Sequence, residues 1–361
     1  MPHAFDTADT LIYSDDPEAL SATARPLPVR VTTPMDAIIY EAQVGPGRKR
    51  VFYYHQNFDP DPRSIGVRLT NLGTGELALR TLAYVERPVA GDVVGVGHRS
   101  IVGFLHALIA GHWTPLTLQP RGSAGDDAVV AVAQARQGEL ASAFVEIDLP
   151  AGALLKVQVI TAAAHGSMSA IGKNGPGPGQ GDGIGRSGVF DLTRGNTVEG
   201  DFAVLNWDAG DGTPLEITVP DGTFPNRQIP FVNPGRAPAQ AVYGVLTRRT
   251  VTVSNGGDAP AEVAVYAQAA GGRSPGTFMV NDTIVELGTM ESPDRPPRPG
   301  YEMHRFTVPA GDPGTIAIDL LGTVDPSGSD PLKIVLAEPG ALPAPALPRQ
   351  VVFAPGQRWR A

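Results

Sequence analysis

The stretch from Arg48 to Glu86 constrains the fold most, because its apolar residues recur at every second position. Val67, Leu69, Leu77 and Leu79, and less strictly Leu82 and Tyr84, flank Asn71-Leu72-Gly73-Thr74-Gly75. Alternation on both sides of a glycine-containing turn is the pattern of two half-buried strands, and it predicts a β-hairpin. The same grammar returns where Val251-Thr252-Val253 leads through Asn255-Gly256-Gly257-Asp258 into Ala261-Glu262-Val263-Ala264-Val265. A second correspondence joins the Pro150-Ala151-Gly152 turn, with its flanking strands, to the Pro309-Ala310-Gly311 turn. The chain therefore reads as one sandwich motif stated twice.

Composition supports this reading. Among 361 residues there are 43 Gly and 35 Pro, while 42% of residues are hydrophobic and 18% charged. The apolar content is too high for disorder and no collagen period exists, so Gly and Pro act as turn punctuation between short strands. The expected fold class is all-β: two tandem β-sandwich modules, Ig-like or jelly-roll-like, with one short helix inserted in the first. The expected organisation is an extended N-terminal segment at 1–26, module 1 at 27–163 and a Gly-rich linker or loop at 164–187. Module 2 follows at 188–338, then a Pro-rich tail at 339–361. The helix is expected over 100–110, where Ile101, Phe104, Leu105 and Leu108 share a face, Ser100 serves as N-cap and Gly111 as stop.

Charge and cysteine usage exclude several functions. A net charge of −9 argues against nucleic-acid or membrane-surface binding, since the basic clusters stop at Arg48-Lys49-Arg50 and Arg248-Arg249. Both clusters are expected as solvated charges at strand edges. The absence of cysteine removes disulfides, thiol nucleophiles and thiolate metal sites. The first residues carry neither a basic n-region nor an apolar h-region, and no run approaches the length of a spanning helix. A cytoplasmic protein fits these facts, and so does the mature form of an extracellular or cell-surface protein; the strand-rich composition favours the second.

No catalytic or cofactor signature stands out. Gly179-Gln180-Gly181-Asp182-Gly183 precedes an expected strand and lacks the Gly-Lys-Ser/Thr ending of a phosphate loop. Ser167 near His165 has no nucleophile elbow around it. His98, His106 and His112 are eight and six residues apart, unlike the spacing of a zinc helix. Oxygen ligands for calcium are candidates in two turns, at Asp208 and Asp211 and at Asp325 and Asp330, although neither turn follows an EF-type loop. No cofactor is expected, with calcium at these turns as the one candidate.

Aromatic residues are 6% of the chain, and Tyr53, Tyr54, His55, Trp113 and Trp207 are the candidate binding residues for a sugar-stacking platform. The expected function is a non-catalytic structural component of a surface layer or filament. Its expected partners are further copies of itself or a cell-surface polymer. The alternative is a carbohydrate-active protein that binds or hydrolyses a polysaccharide with paired carboxylates. Strand-borne candidates for such a pair are Glu146, Asp148, Glu199, Asp201, Glu216 and Glu286.

Overall fold

The structure is a computed structural model that describes residues 8–15, 19–23, 32–164, 168, 171, 187–192, 204–219, 245–272, 274–281, 283–292, 297–324, 332–345 and 350–353. The described residues up to 192 belong to one compact unit and those from 204 onward to a second. Both are built of strands, as the alternation demands.

In the first unit the strands are β1 (Thr10–Ser14), β2 (Ala19–Leu20), β3 (Ala37–Val44), β4 (Gly47–Asn57), β5 (Arg63–Asn71) and β6 (Leu77–Ala90). The helix α1 (Val93–Ala110) follows, then β7 (Thr114–Leu118), β8 (Asp127–Ala135), β9 (Glu139–Leu149), β10 (Leu155–Ala163) and β11 (Ser187–Asp191). One sheet runs β11-β1-β4-β9-β6-β7, with β2 beside β4, and the other runs β3-β10-β5-β8. From β3 to β10 the chain passes between these two sheets in a jelly-roll path, and β1 adds to β4 in parallel.

The second unit repeats that path. Its strands are β12 (Val204–Asp208), β13 (Leu215–Val219), β14 (Thr247–Asn255), β15 (Ala261–Ala269), β16 (Ser274–Val280) and β17 (Thr283–Met290). They continue with β18 (Tyr301–Val308), β19 (Asp312–Val324), β20 (Leu332–Ala337) and β21 (Gln350–Phe353). Its sheets run β12-β14-β19-β16-β17-β21 and β13-β20-β15-β18, and β12 lies parallel to β14 as β1 does to β4. The fold is all-β with two tandem jelly-roll modules.

The repeat is real, but its register lies one connection away from the turns that suggest it in the sequence. β5 and β6 belong to different sheets, as do β14 and β15, so neither Asn-containing turn closes a hairpin. Alternation marks a half-buried strand without naming its partner. The counterpart of Asn255 along the path is Asn57, because each ends the second strand of its jelly roll; the two also make the same bonds. Asn57 Nδ2 donates to Asp61 O at 2.9 Å and Ala135 O at 3.0 Å, while its Oδ1 accepts from Asp59 N at 2.9 Å. Asn255 Nδ2 donates to Ala259 O at 2.8 Å and Val308 O at 3.2 Å, and its Oδ1 accepts from Gly257 N at 3.0 Å. Likewise the Pro-Ala-Gly turns fall after β9 in one unit and after β18, the counterpart of β8, in the other.

Two boundaries also differ. The segment 1–26 supplies β1 and β2 to the first sheet, and β11, at the start of the expected second module, pairs with β1 instead. Between the sheets of the first unit lies a continuous apolar core that includes Val51, Tyr53, Val67, Leu69, Val145, Ile147, Val157 and Val159. The helix begins earlier than Ser100. Asp92 is its N-cap, accepting from Gly95 N at 3.0 Å, and Gly111 closes it in the left-handed conformation at φ 63°. Glycines 95 and 97 are weak helix formers, so sequence propensity places the start too late. Packing on β6 and β9 holds these turns in place.

Candidate functional site

The outer face of the first sheet is the most chemically loaded surface of the first unit. Along β4 and β9 the residues that point away from the core are Arg50, Phe52 and Tyr54, and Ser142, Phe144 and Glu146. The helix covers them: Phe104 stacks on Phe144 at 4.9 Å, and Phe144 on Phe52 at 4.6 Å. Gly103 is required at the closest approach, since a Cβ there would lie 2.0 Å from Tyr84 Cζ. Beneath this cover Arg50 Nη2 meets Glu146 Oε1 at 2.6 Å with both side chains buried, and the Arg50 guanidinium sits 5.1 Å from the Phe104 ring. Burial pushes the Glu146 carboxyl above the ordinary carboxylate range, and the Arg50 and Arg48 charges oppose that rise.

The basic clusters are therefore neither solvated nor at edges. β4 and β14 each run between two neighbours, and Lys49, Arg50, Arg248 and Arg249 are all buried. Lys49 pairs with Asp9 and Arg248 Nη2 with Asp319 Oδ2 at 2.9 Å. Asp9, Glu146 and Asp319 neutralise Lys49, Arg50 and Arg248, a partnership that a run of like charges does not reveal.

The aromatic candidates of the first unit do not share one face. The Tyr53 side chain lies in the core, where its hydroxyl donates to Ala131 O at 2.7 Å; burial pushes its phenol far above the ordinary tyrosine range, against a backbone hydrogen bond with Ala133. Tyr54 faces the other way and donates to Val93 O at 2.8 Å, fastening the first turn of the helix. His55 is buried, with Nε2 3.0 Å from Ser14 Oγ. Trp113 is half-buried, and the guanidinium groups of Arg48 and Arg80 lie 4.8 and 5.3 Å from its ring. Trp207 belongs to the other unit and donates from Nε1 to Thr213 O at 2.8 Å. These rings fasten the protein to itself.

The acidic candidates behave similarly. Asp208 Oδ1 accepts from Gly210 N at 2.8 Å and Gly256 N at 3.1 Å, which joins two turns through one carboxylate. Asp211 is exposed in the 3₁₀ turn at Ala209–Asp211. Asp325 and Asp330 lie outside the described residues, as do Glu199 and Asp201. Among the described residues no three His, Asp or Glu side chains converge as a metal set. Of the paired-carboxylate candidates, Glu146, Asp148 and Glu216 are engaged by Arg50, Arg80 and Lys333.

Two clefts remain. In the second unit, about 290 Å³ is lined by Tyr266, Leu287, Tyr301, Glu302, Arg305 and Leu342, with Arg305 and Glu302 joined in a two-point ion pair at 2.9 and 2.7 Å. Both tyrosines are almost fully buried, and each hydroxyl accepts a backbone N–H bond, from Gly340 and Glu291 respectively, at 2.8 Å. In the first unit, about 400 Å³ is lined by Pro62, Arg87, Pro88, Gln134, Arg136 and Glu139. The sequence hides this second cleft, since its arginines are isolated in the chain and meet only through the jelly-roll path.

No family model and no curated relative matches the chain. Among solved structures the chain is similar to the N-terminal tandem CBM22 domains of Paenibacillus barcinonensis Xyn10C. That match has 10% identity and a TM-score of 0.14, over 78% of this chain and 72% of the other. The class that the fold itself defines is a tandem jelly-roll protein. By length and composition α1 is apolar enough to cross a membrane, with a mean hydropathy of 1.5, but half of it is buried against the first unit.

Proposed function

We propose that the chain is a non-catalytic structural subunit that assembles with copies of itself, as in the layer or filament of a cell surface. The observation that carries this reading is the closed interior of the first jelly roll, filled with aliphatic side chains. The outer faces and strand edges are what remains for function. Jelly rolls serve shells and lectins as well as cupins, so fold alone does not choose among these. Cupin-like chemistry needs a ligand space between the sheets, and here that space is filled. Among the described strands β7 and β12 end their sheets, and an edge strand presents a row of backbone groups, which supports strand-to-strand association.

The test is light scattering behind size-exclusion chromatography across a wide concentration range, followed by electron microscopy of the same fractions. Ordered oligomers or fibres are expected, with their order weakened when residues beyond 340 are removed. A monomer at every concentration, with and without calcium, overturns the reading.

A further inference from the structure

From the cleft of the first unit we infer a binding site for an acidic sugar, independent of the assembly reading. Its walls come from five places in the fold. Pro62 precedes β5, Arg87 and Pro88 lie in β6, Gln134 is the penultimate residue of β8, Arg136 and Glu139 flank the turn into β9, and Ala164 follows β10.

Arg87 is placed by a break in the ladder. Glu86 pairs with Ser142 and Val89 with Leu140, so Arg87 and Pro88 together oppose the single residue Ala141. This is a β-bulge, a device that re-aims a side chain and is frequent beside binding sites. In a regular strand Arg87 would oppose Ala141, whose side chain belongs to the apolar core. The bulge releases it, and the residue is exposed.

Arg136 is held by its own turn. Its amide donates to Glu139 Oε2 at 2.8 Å, while Glu139 N donates to Arg136 O at 3.0 Å. Among the described residues neither the Arg87 nor the Arg136 guanidinium has a hydrogen bond or ion pair. Elsewhere in the same unit the buried arginines 50, 63 and 68 all face carboxylates. In a chain of net charge −9, two arginines that have no acidic partner among the described residues share this one cleft.

The ligand chemistry follows from the lining. A guanidinium matches a carboxylate by a planar, two-point fork, so the arginines call for an anion. Glu139 disfavours a compact, highly charged group such as phosphate and suits a hydroxyl donor. Gln134 supplies both a donor and an acceptor for hydroxyls. Pro62 and Pro88 offer apolar flanks for the ring carbons. A carboxylate with adjacent hydroxyls on a ring is a uronic acid, and about 400 Å³ lies within the range of small-ligand sites, about 300–1,000 Å³.

The experiment is calorimetric titration of the full chain with oligogalacturonate, with the neutral galactose oligomer of equal length and with inorganic phosphate. The expected result is saturable uronate binding that weakens as salt is raised, with no binding of the neutral oligomer and weaker binding of phosphate. Arg87→Gln and Arg136→Gln keep the apolar stems at exposed positions, and each is expected to lower uronate affinity about tenfold with an unchanged thermal midpoint. Because these variants leave the strand edges intact, their scattering profiles should match the parent. Equal binding of neutral and acidic oligomers, phosphate binding as tight as uronate, or full affinity in the double variant would each overturn the assignment.

Discussion

Where the first jelly roll inserts an 18-residue helix between its β6 and β7 strands, the second turns directly from β16 to β17 through Asn281 at φ 53°. The strands on either side are equivalent, yet the same pair of positions carries different chemistry. Under the helix, Arg50 and Glu146 form a dry ion pair with the Phe104 ring alongside. In the second unit Thr250 stands opposite Asp319 on the neighbouring strand, as Arg50 stands opposite Glu146. Its Oγ1 donates at 2.6 Å to Asp319, which also pairs with Arg248 and remains 16% exposed. Covering a sheet face converts an ordinary cross-strand pair into one whose two halves depend on each other.

The sharpest way to break this comparison is to remove one acid from each unit. Glu146→Ala strands Arg50 in a dry site and is expected to cost about 3–5 kcal/mol in urea unfolding. Asp319→Ala, with water nearby, is expected to cost about 1.5–3 kcal/mol. Equal losses would mean that the helix adds nothing to the pair.

The asparagine pair tests the opposite expectation, that the shared frame behaves alike in both units. Asn57→Ala and Asn255→Ala each delete three hydrogen bonds at a buried position, at about 1 kcal/mol per bond. Each should therefore lower stability by about 3 kcal/mol, and a clear inequality in the denaturant midpoints would undo the equivalence.

Gly103→Ala concerns the helix alone. Overpacking against Tyr84 costs about 1–3 kcal/mol, and the better helix propensity of Ala returns about 1 kcal/mol. The net expectation is a loss of about 1 kcal/mol by chemical unfolding, and a gain would show that Tyr84 moves aside freely.

The smallest effect is set by pH. Desolvation would raise the Asp59 carboxyl, but the Ala22 amide, Arg63 and Ser21 outweigh it and hold the group below its ordinary value of 3.8. A depressed folded value means that the stabilisation is full above 3.8 and lost as pH falls through the folded value. Asp59→Asn should flatten the acid limb of the stability curve in the first unit. An unchanged limb would assign acid sensitivity to other carboxylates, such as Asp312, which the Thr315 hydroxyl and amide hold low in the second unit.

Strand content, tandem modules and an inserted helix were legible because each leaves a local mark: alternation, glycine punctuation, a one-sided apolar stripe. What stayed hidden depends on partners. Leu69 and Leu77 announce strands without saying that these enter different sheets. Tyr53 stands two residues after Val51 in β4 and so shares its inward face, a parity that argues for the interior and against a sugar platform. Arg50 looks solvent-bound until Glu146, distant in sequence, is placed beside it. The Arg87 bulge is invisible in sequence because a bulge exists only relative to a neighbouring strand.

One small distortion has a consequence for how the sequence can drift. Ala131 holds φ 52° where β8 slips against β5, and the Tyr53 hydroxyl accepts the task of binding its carbonyl. At such a backbone angle Gly, Asn and Asp are tolerated and β-branched residues are not. Position 131 and position 53 are thus expected to vary as a pair: chains that straighten the strand with Val or Ile at 131 have no carbonyl there for a phenol to bind, and Phe at 53 becomes the better neighbour.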